Sequence, residues 1–264
     1  MKSQDGLVVI TGASEGIGRA TAARFAAEGH DLLLVARSGD RLASLADDLR
    51  SAHGIVCGVL VADVRDAAAL RPALTAALQR RPIAAAVVNA GIGLYGPFAR
   101  SAWTDIENLL RTNFDGAFAT ASAVLPLLLA QRGGSLVFIS SIIGKRALPY
   151  NAAYCATKQG LLGLADALRL EARPYGVHVG VVCPARTDTP FFDRMTYAVP
   201  QTTRRNVPTN PPEMVAAAVL RCVRRRRREI VVSTAGKLFA FVGWHFPRLS
   251  DYLLYRNVPR PDKP

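Results

Sequence analysis

Cysteine is scarce: four residues, Cys57, Cys155, Cys183 and Cys222, lie far apart and form no CxxC pair. That argues against a disulfide framework or a thiolate metal centre and points to reduced thiols in a cytoplasmic protein. Long apolar runs are also missing. Each is broken by charge, Gly or Pro before the ~20 residues that span a bilayer. The opening Met1-Lys2-Ser3-Gln4-Asp5-Gly6 passes straight into a strand-like segment, without the apolar region of a secretory signal. There is no internal repeat, and the only low-complexity stretch is Arg224 to Arg228.

Acidic residues are outnumbered, 20 Asp and Glu against 33 Lys and Arg, for a net charge of +13. Residues 201–264 carry 13 Lys and Arg against 4 Asp and Glu, so +9 of that charge belongs to the C-terminal quarter. The arginine run has no interleaved stacking aromatics and no recognition motif accompanies it. It reads as a solvated helix end rather than a nucleic-acid site.

What is present is the balance of a large globular core, half hydrophobic and one fifth charged. Strand and helix signals alternate without a linker, giving one domain over 1–264. Strand-like segments fall at 7–10, 31–36, 55–62, 83–89, 135–140, 177–183 and 229–232. Helical segments fall at 16–28, 40–50, 67–79, 114–131 (with Pro126 as a kink point), 152–173 and 212–225. This pattern predicts an α/β fold: a parallel sheet of about seven strands covered by helices on both faces. Ligands of such sheets bind beyond the carboxyl ends of the strands.

The turn after the first strand is Thr11-Gly12-Ala13-Ser14-Glu15-Gly16-Ile17-Gly18. Gly12 allows a tight turn, Gly16 lets the backbone approach a pyrophosphate, and Gly18 permits close helix–sheet packing. The anion would rest on N–H groups at the helix N-terminus, with Ser14, Glu15 and Ile17 around it. The second strand ends Val35-Ala36-Arg37-Ser38, without the acid that would accept from a ribose 2′-OH. Arg37 suits a 2′-phosphate and Ser38 adds a hydroxyl, so NADP(H) is expected over NAD(H).

Tyr154 and Lys158 stand at i and i+4 on one helical face. A phenol with pKa ~10 is a sluggish base at neutral pH, and a neighbouring ammonium is expected to lower it. Ser140-Ser141 ends the preceding strand, where a hydroxyl can polarise a carbonyl.

Motifs in this order resemble the short-chain dehydrogenase/reductase family across residues 7 to about 232. Its TGxxxGxG stands as Thr11, Gly12, Gly16 and Gly18, and its YxxxK as Tyr154 and Lys158. The resemblance implies a Rossmann-like doubly wound fold and catalysis by Asn113, Ser141, Tyr154 and Lys158. Ser141 is preferred to Ser140 for its spacing of thirteen from Tyr154. It also implies cofactor contacts from Asp63 and Val64 after the third strand, Asn89-Ala90-Gly91 after the fourth, and Pro184, Ala185, Thr187 and Thr189 after the sixth. Ala185 departs from the family's glycine and puts the local turn in question. The implied roles are Tyr154 as general acid or base, Lys158 holding the nicotinamide ribose, Ser141 on the carbonyl oxygen, and Asn113 placing a water that links Lys158 to solvent. No metal is implied.

The resemblance also implies a homodimer or homotetramer built on the helices at 114–131 and 152–173. There Ala117, Ala119, Ala121, Ala165 and Ala167 would permit close approach. Residues 189–211, with Phe191, Phe192, Met195 and Tyr197, read as a lid over an apolar small-molecule carbonyl or alcohol. The core then spans 7–233, leaving an apolar and basic tail at 234–264. That tail suits a cap on the cleft, a partner subunit or a peripheral membrane contact. Two functional classes follow, a working oxidoreductase and a non-catalytic NADP(H) sensor; the complete set of four catalytic residue types favours the enzyme.

Overall fold

The computed structural model describes residues 6–78, 81–199 and 209–257. Its first half runs β1 (Leu7–Thr11), α1 (Gly16–Ala26), β2 (Asp31–Ala36), α2 (Gly39–His53), β3 (Cys57–Val61), α3 (Ala67–Leu78) and β4 (Ile83–Val88). There follow β5 (Leu94–Tyr95), α4 (Trp103–Leu110), α5 (Gly116–Gln131), β6 (Ser135–Ile139), α6 (Ile142–Lys145) and α7 (Ala152–Ala172). The chain continues with β7 (His178–Cys183), β8 (Thr196–Tyr197), α8 (Pro212–Arg224), β9 (Glu229–Val231), α9 (Thr234–His245) and α10 (Pro247–Asn257).

Seven strands form one parallel sheet in the order β3-β2-β1-β4-β6-β7-β9. β1, β6 and β7 are buried along their whole length, as strands covered on both faces must be. Successive side chains feed two cores. Leu7 and Val9 join Leu70, Leu74, Val124 and Leu161 from α3, α5 and α7. Val8 and Ile10 join Phe25, Leu42, Leu45 and Val219 from α1, α2 and α8. Phe138 and Phe25 are fully buried, one in each core, and truncating either to Ala should cost ~3–5 kcal/mol. The chain winds outward from β1 to β3 and then returns through β4 to β9 on the other side. The order therefore reverses between β1 and β4, and that switch point opens a crevice at their carboxyl ends.

The seven expected strands are all present within a residue or two. The helix expected from 114 starts earlier. α4, a π turn at Arg111–Asp115 and α5 make one helical stretch, Trp103–Gln131, that runs through Pro126. It is the one helix among the described residues long and apolar enough to cross a bilayer, but half of its apolar window is buried. Ala117, Ala119, Ala121, Val124 and Leu128 pack into the sheet core, so it is a core helix. α4 had little local signal: its N-cap, Ala102, offers no capping side chain. α9 and α10 are also additions, the first capped by Ser233, whose hydroxyl accepts from Gly236 N–H at 2.9 Å. The second starts on Pro247, a residue suited to a first helical turn. Gln79, residues 200–208 of the expected lid and the tail beyond 257 lie outside the described residues.

Candidate active site

The glycine turn connects β1 to α1 as expected. Gly16 has φ +53°, a left-handed conformation, and a Cβ there would come within 3.1 Å of Thr189. At Gly18 a Cβ would lie 2.1 Å from the Gly12 carbonyl oxygen, so the helix sits directly on the turn. Asn89 locks the turn from behind: its Nδ2 donates to Thr11 O at 2.9 Å and to Gly12 O at 3.2 Å. The Thr11 hydroxyl accepts in return from the N–H groups of Asn89 and Ala90. Asn89 thus serves the cradle as much as any ligand in it. Glu15 is the N-cap of α1, yet its side chain makes no cap hydrogen bond. That leaves the first-turn N–H groups without a side-chain partner there, as an anion cradle requires.

A cleft of about 1100 Å³ opens over this turn. Every residue expected at the site lines it except Gly18, which supports the turn, and Asn113, which lies beneath. Its volume and its pairing of an anion cradle with an apolar end suit a dinucleotide beside a small substrate. A second hollow, about 570 Å³ between α3 and α5, is lined by small residues with Arg71 and holds no acid–base pair.

At the β2 end of the cleft, Arg37 and Ser38 follow the strand. Arg41, which sequence reasoning missed, donates to the Ser38 hydroxyl and to Glu15 Oε2, the latter at 2.6 Å. Its position in the first turn of α2, four residues after Arg37, was the available signal. Arg194 reaches the same carboxylate from the far side, at 2.5 and 2.6 Å. Nothing in the sequence announces this pairing across 179 positions. Asp63 is held by Arg65 at 2.6 Å, and that hydrogen bond and charge keep its carboxyl below the usual range. Val64 beside it is buried, packed so tightly against Gly116 that a Cβ there would meet it at 2.8 Å.

At the other end, Tyr154 and Lys158 project from α7 into the cleft. Lys158 is buried and its Nζ donates to Ile139 O at 3.0 Å, its one hydrogen bond among the described residues. An ammonium has three donors, so further hydrogen-bonding capacity remains for a cleft ligand. Burial lowers its pKa to about 8. The expectation that Lys158 would draw the phenol downward is not met. Nζ stands 5.8 Å from the ring centroid, and burial pushes the Tyr154 hydroxyl well above its ordinary value. The covering includes Phe191, whose ring centroid is 5.9 Å away.

The two serines differ. The Ser140 hydroxyl is buried and donates to Lys158 O at 2.7 Å. Ser141 is partly exposed to the cleft and has only long contacts, to Pro184 O at 3.5 Å and from Ile143 N–H at 3.4 Å. Asn113 sits in the π turn, a helix irregularity common at functional sites. Its amide exchanges hydrogen bonds with Ile92, 2.8 Å from N–H and 2.9 Å to O. The side chain is therefore engaged in fixing the loop after β4. Thr187 is buried and donates to Ala185 O at 2.9 Å. Ala185 is not among the residues with positive φ, so alanine meets no strain where the family has glycine.

Residues of the segment 189–199 line the cleft beside Tyr154. β8 pairs with β5, with Thr196 N–H donating to Gly93 O at 3.0 Å. A Cβ on Gly93 would meet the Met195 methyl at 2.6 Å and the Phe191 ring at 3.0 Å. The base of the segment is tied where Asp188 N–H donates to Asn210 O and Asn210 N–H to Arg186 O.

The comparisons with known proteins agree with this geometry. The family model for short chain dehydrogenase matches residues 6–198. The Xenopus tropicalis dehydrogenase/reductase SDR family member 7B is 33% identical over 242 residues, 87% of this chain and 78% of that protein. A short-chain dehydrogenase from Sphingobium yanoikuyae, solved with NADPH, is 32% identical with a TM-score of 0.78, covering 93% of this chain and 96% of that one. One from Mycobacterium paratuberculosis, solved with NAD, is 27% identical with the same TM-score, over 90% and 100% of the two chains. With its parallel sheet, its glycine cradle and these relatives, the chain belongs to the short-chain dehydrogenase/reductase family of oxidoreductases, enzymes that act on CH–OH and C=O groups with a nicotinamide cofactor.

Proposed function

We propose that this enzyme reduces the carbonyl of an apolar small molecule with NADPH, using Tyr154 as the proton donor. The observation that carries this reading is the convergence of Ser141, Tyr154 and Lys158 on one cleft that also holds the glycine turn. When bound, the nicotinamide supplies the hydride. Burial keeps the Tyr154 phenol protonated at neutral pH, the form that can donate to a carbonyl oxygen. Tyr154 is the proton donor in carbonyl reduction and the base in the reverse reaction. Ser141 is the hydroxyl available to hydrogen-bond that oxygen as negative charge develops. Ser140 is already committed to Lys158 O. Lys158, with a pKa of about 8, is mostly an ammonium at pH 7; it holds ribose hydroxyls and steadies the phenolate formed after proton transfer. Asn113 fixes the loop bearing Ala90 and Gly91 through Ile92, and a water near it would connect Lys158 with solvent.

The preference for NADPH rests on Arg37, Ser38 and Arg41 at the tip of β2, where the strand itself ends without a carboxylate and the neighbouring Glu15 is paired with Arg41 and Arg194. Asp63 and Val64 bound the adenine side. Thr187 and Thr189 line the same cleft and would hold the nicotinamide amide and the pyrophosphate, with Pro184 and Ala185 beside them. Phe191, Phe192, Met195 and Tyr197 make the segment from 189 a lid over an apolar substrate. The four cysteines are buried and unpaired, in keeping with the cytoplasm.

We infer a homo-oligomer through the outer faces of α5 and α7, on different grounds from those read in the sequence. Ala117, Ala119, Ala121 and Ala165 are buried within the chain and cannot face a partner, and only Ala167 is exposed. Phe118 and Leu170, 39% and 70% exposed, are the candidates instead. The decisive experiment for the activity is a panel of aliphatic, aromatic and bulky ketones and aldehydes with NADPH oxidation followed at 1:1 cofactor comparison with NADH. Turnover of apolar carbonyls with NADPH supports the reading, and none across the panel contradicts it.

A further inference from the structure

The C-terminal helices and Phe246 between them hold eight of the sixteen large apolar side chains that are exposed among the described residues. α9 starts just beyond the carboxyl end of β9, the same edge of the sheet as the glycine turn and Ser141. Its inner side lies flat on α6: a Cβ on Gly236 would come within 3.0 Å of Ile142, and one on Gly243 within 2.6 Å of Arg146. Arg146 then staples α10, with Nε donating to the Ser250 hydroxyl at 3.0 Å and Nη2 pairing with Asp251. The pair of helices is thereby seated in one orientation. Its outer side carries Leu238, Phe241, Trp244, Leu249, Tyr252 and Tyr255, Trp244 being 75% exposed.

This face does not cap the cleft, since no residue of 234–257 lines it. Nor does the Arg224 to Arg228 run belong to it. That run precedes β9, at the opposite end of the strands, where Arg224 pairs with Glu28, Arg228 with Asp166, and Arg226 donates to Gly176 O. The charge that matters is local: Lys237, Arg248 and Arg256 border the apolar face. The one carboxylate within 234–257, Asp251, is matched by Arg146. Helices of 12 and 11 residues are too short to span a bilayer. Apolar residues with Trp and Tyr, bordered by basic side chains that no carboxylate matches among the described residues, Arg256 lying over the Tyr252 ring and donating to its hydroxyl, fit an anionic bilayer surface from within the interfacial plane.

We propose that α9 and α10 dock this enzyme peripherally on an anionic membrane surface, with the cleft edge of the sheet toward the lipid. Combined with the carbonyl-reducing activity proposed above, on which only this clause rests, the dock would admit lipid-soluble carbonyls from the leaflet.

The test is flotation of the full chain with vesicles of phosphatidylcholine alone and with about 30% phosphatidylserine, which supplies the negative surface that attracts Lys and Arg. Wild type should float with the anionic vesicles, and the bound fraction should fall about tenfold on neutral vesicles or in high salt. The variant L238S/F241S/W244S should lose flotation, while K237Q/R248Q/R256Q should lose the preference for phosphatidylserine. Both alter exposed positions, and unchanged circular dichroism and NADPH binding would establish that they fold. The proposal is overturned if wild type ignores anionic vesicles or if the serine variant floats equally well. It is also overturned if that variant only converts a dimer to a monomer, which would make the face a contact between copies. None of these readouts depends on turnover, so loss of the dock leaves the proposed activity standing, and the converse holds.

Discussion

Glu15 and Arg194 lie 179 residues apart in sequence, and the guanidinium of Arg194 engages both carboxylate oxygens of Glu15. The pair ties the proposed lid to the cofactor turn, and Arg41 adds a third member from the start of α2. One carboxylate thus joins the segment at 189–199, the glycine turn and the start of α2.

Exposed ion pairs contribute ~1 kcal/mol or less, so Glu15→Gln should leave global stability nearly unchanged. Its effect should be local, with the lid opening more often. Trypsin cleavage at Arg186 or Arg194, timed under native conditions, should rise about fivefold, since ~1 kcal/mol of local opening corresponds to that factor. Cleavage at the wild-type rate would show that β5–β8 pairing alone holds the lid.

Arg37→Ala and Arg41→Ala should each weaken NADPH binding about tenfold or more and barely change NADH. A charge-assisted contact to phosphate is worth ~1.5–3 kcal/mol. Fluorescence titration of both cofactors against wild type and the two variants reads this directly. Equal wild-type affinities for the two cofactors would contradict the assignment of the 2′-phosphate site.

Lys158 lies buried with its pKa lowered to about 8, against ~10.4 for an unfolded lysine. Between those values the unfolded chain binds more protons at this position, so wild-type stability gains from this group as pH rises from 8 toward 10.4. Below pH 8 the folded protein carries the full cost of a buried ammonium. Lys158→Met should therefore be more stable than wild type at pH 7, by an amount on the order of a few kcal/mol, and this advantage should shrink by pH 9.5. Urea unfolding of both proteins at the two pH values checks it; an advantage independent of pH would place the origin in packing. The same variant should be inactive, a stability cost retained for function.

Much of this was legible in the sequence because its signals are local. The strand and glycine turn from Leu7 to Gly18 are contiguous, and Tyr154 and Lys158 share a helical face by spacing alone. The Ser141 choice, taken from motif spacing, coincides with the hydroxyl that is not committed elsewhere. What was hidden depends on packing between distant segments. The rise in the Tyr154 pKa comes from burial, to which Phe191 of the lid contributes. The alanines of α5 and α7 read as a partner face but fill the chain's own core, because small residues suit close contact with either. Arg41 and Arg194 were silent for a similar reason: their meaning lies in Glu15, which looked like a turn residue.

The central claim is that Tyr154 gives the proton in carbonyl reduction, and the most direct measurement compares Tyr154→Phe with wild type. Phenylalanine keeps the ring against Phe191 and removes the transferable proton. General acid catalysis of this kind contributes ~10²–10⁴-fold. The account predicts that kcat for ketone reduction falls by at least that range's lower bound, while the NADPH dissociation constant stays within about twofold, well under one kcal/mol. A variant that binds NADPH normally and retains most of its kcat would contradict it.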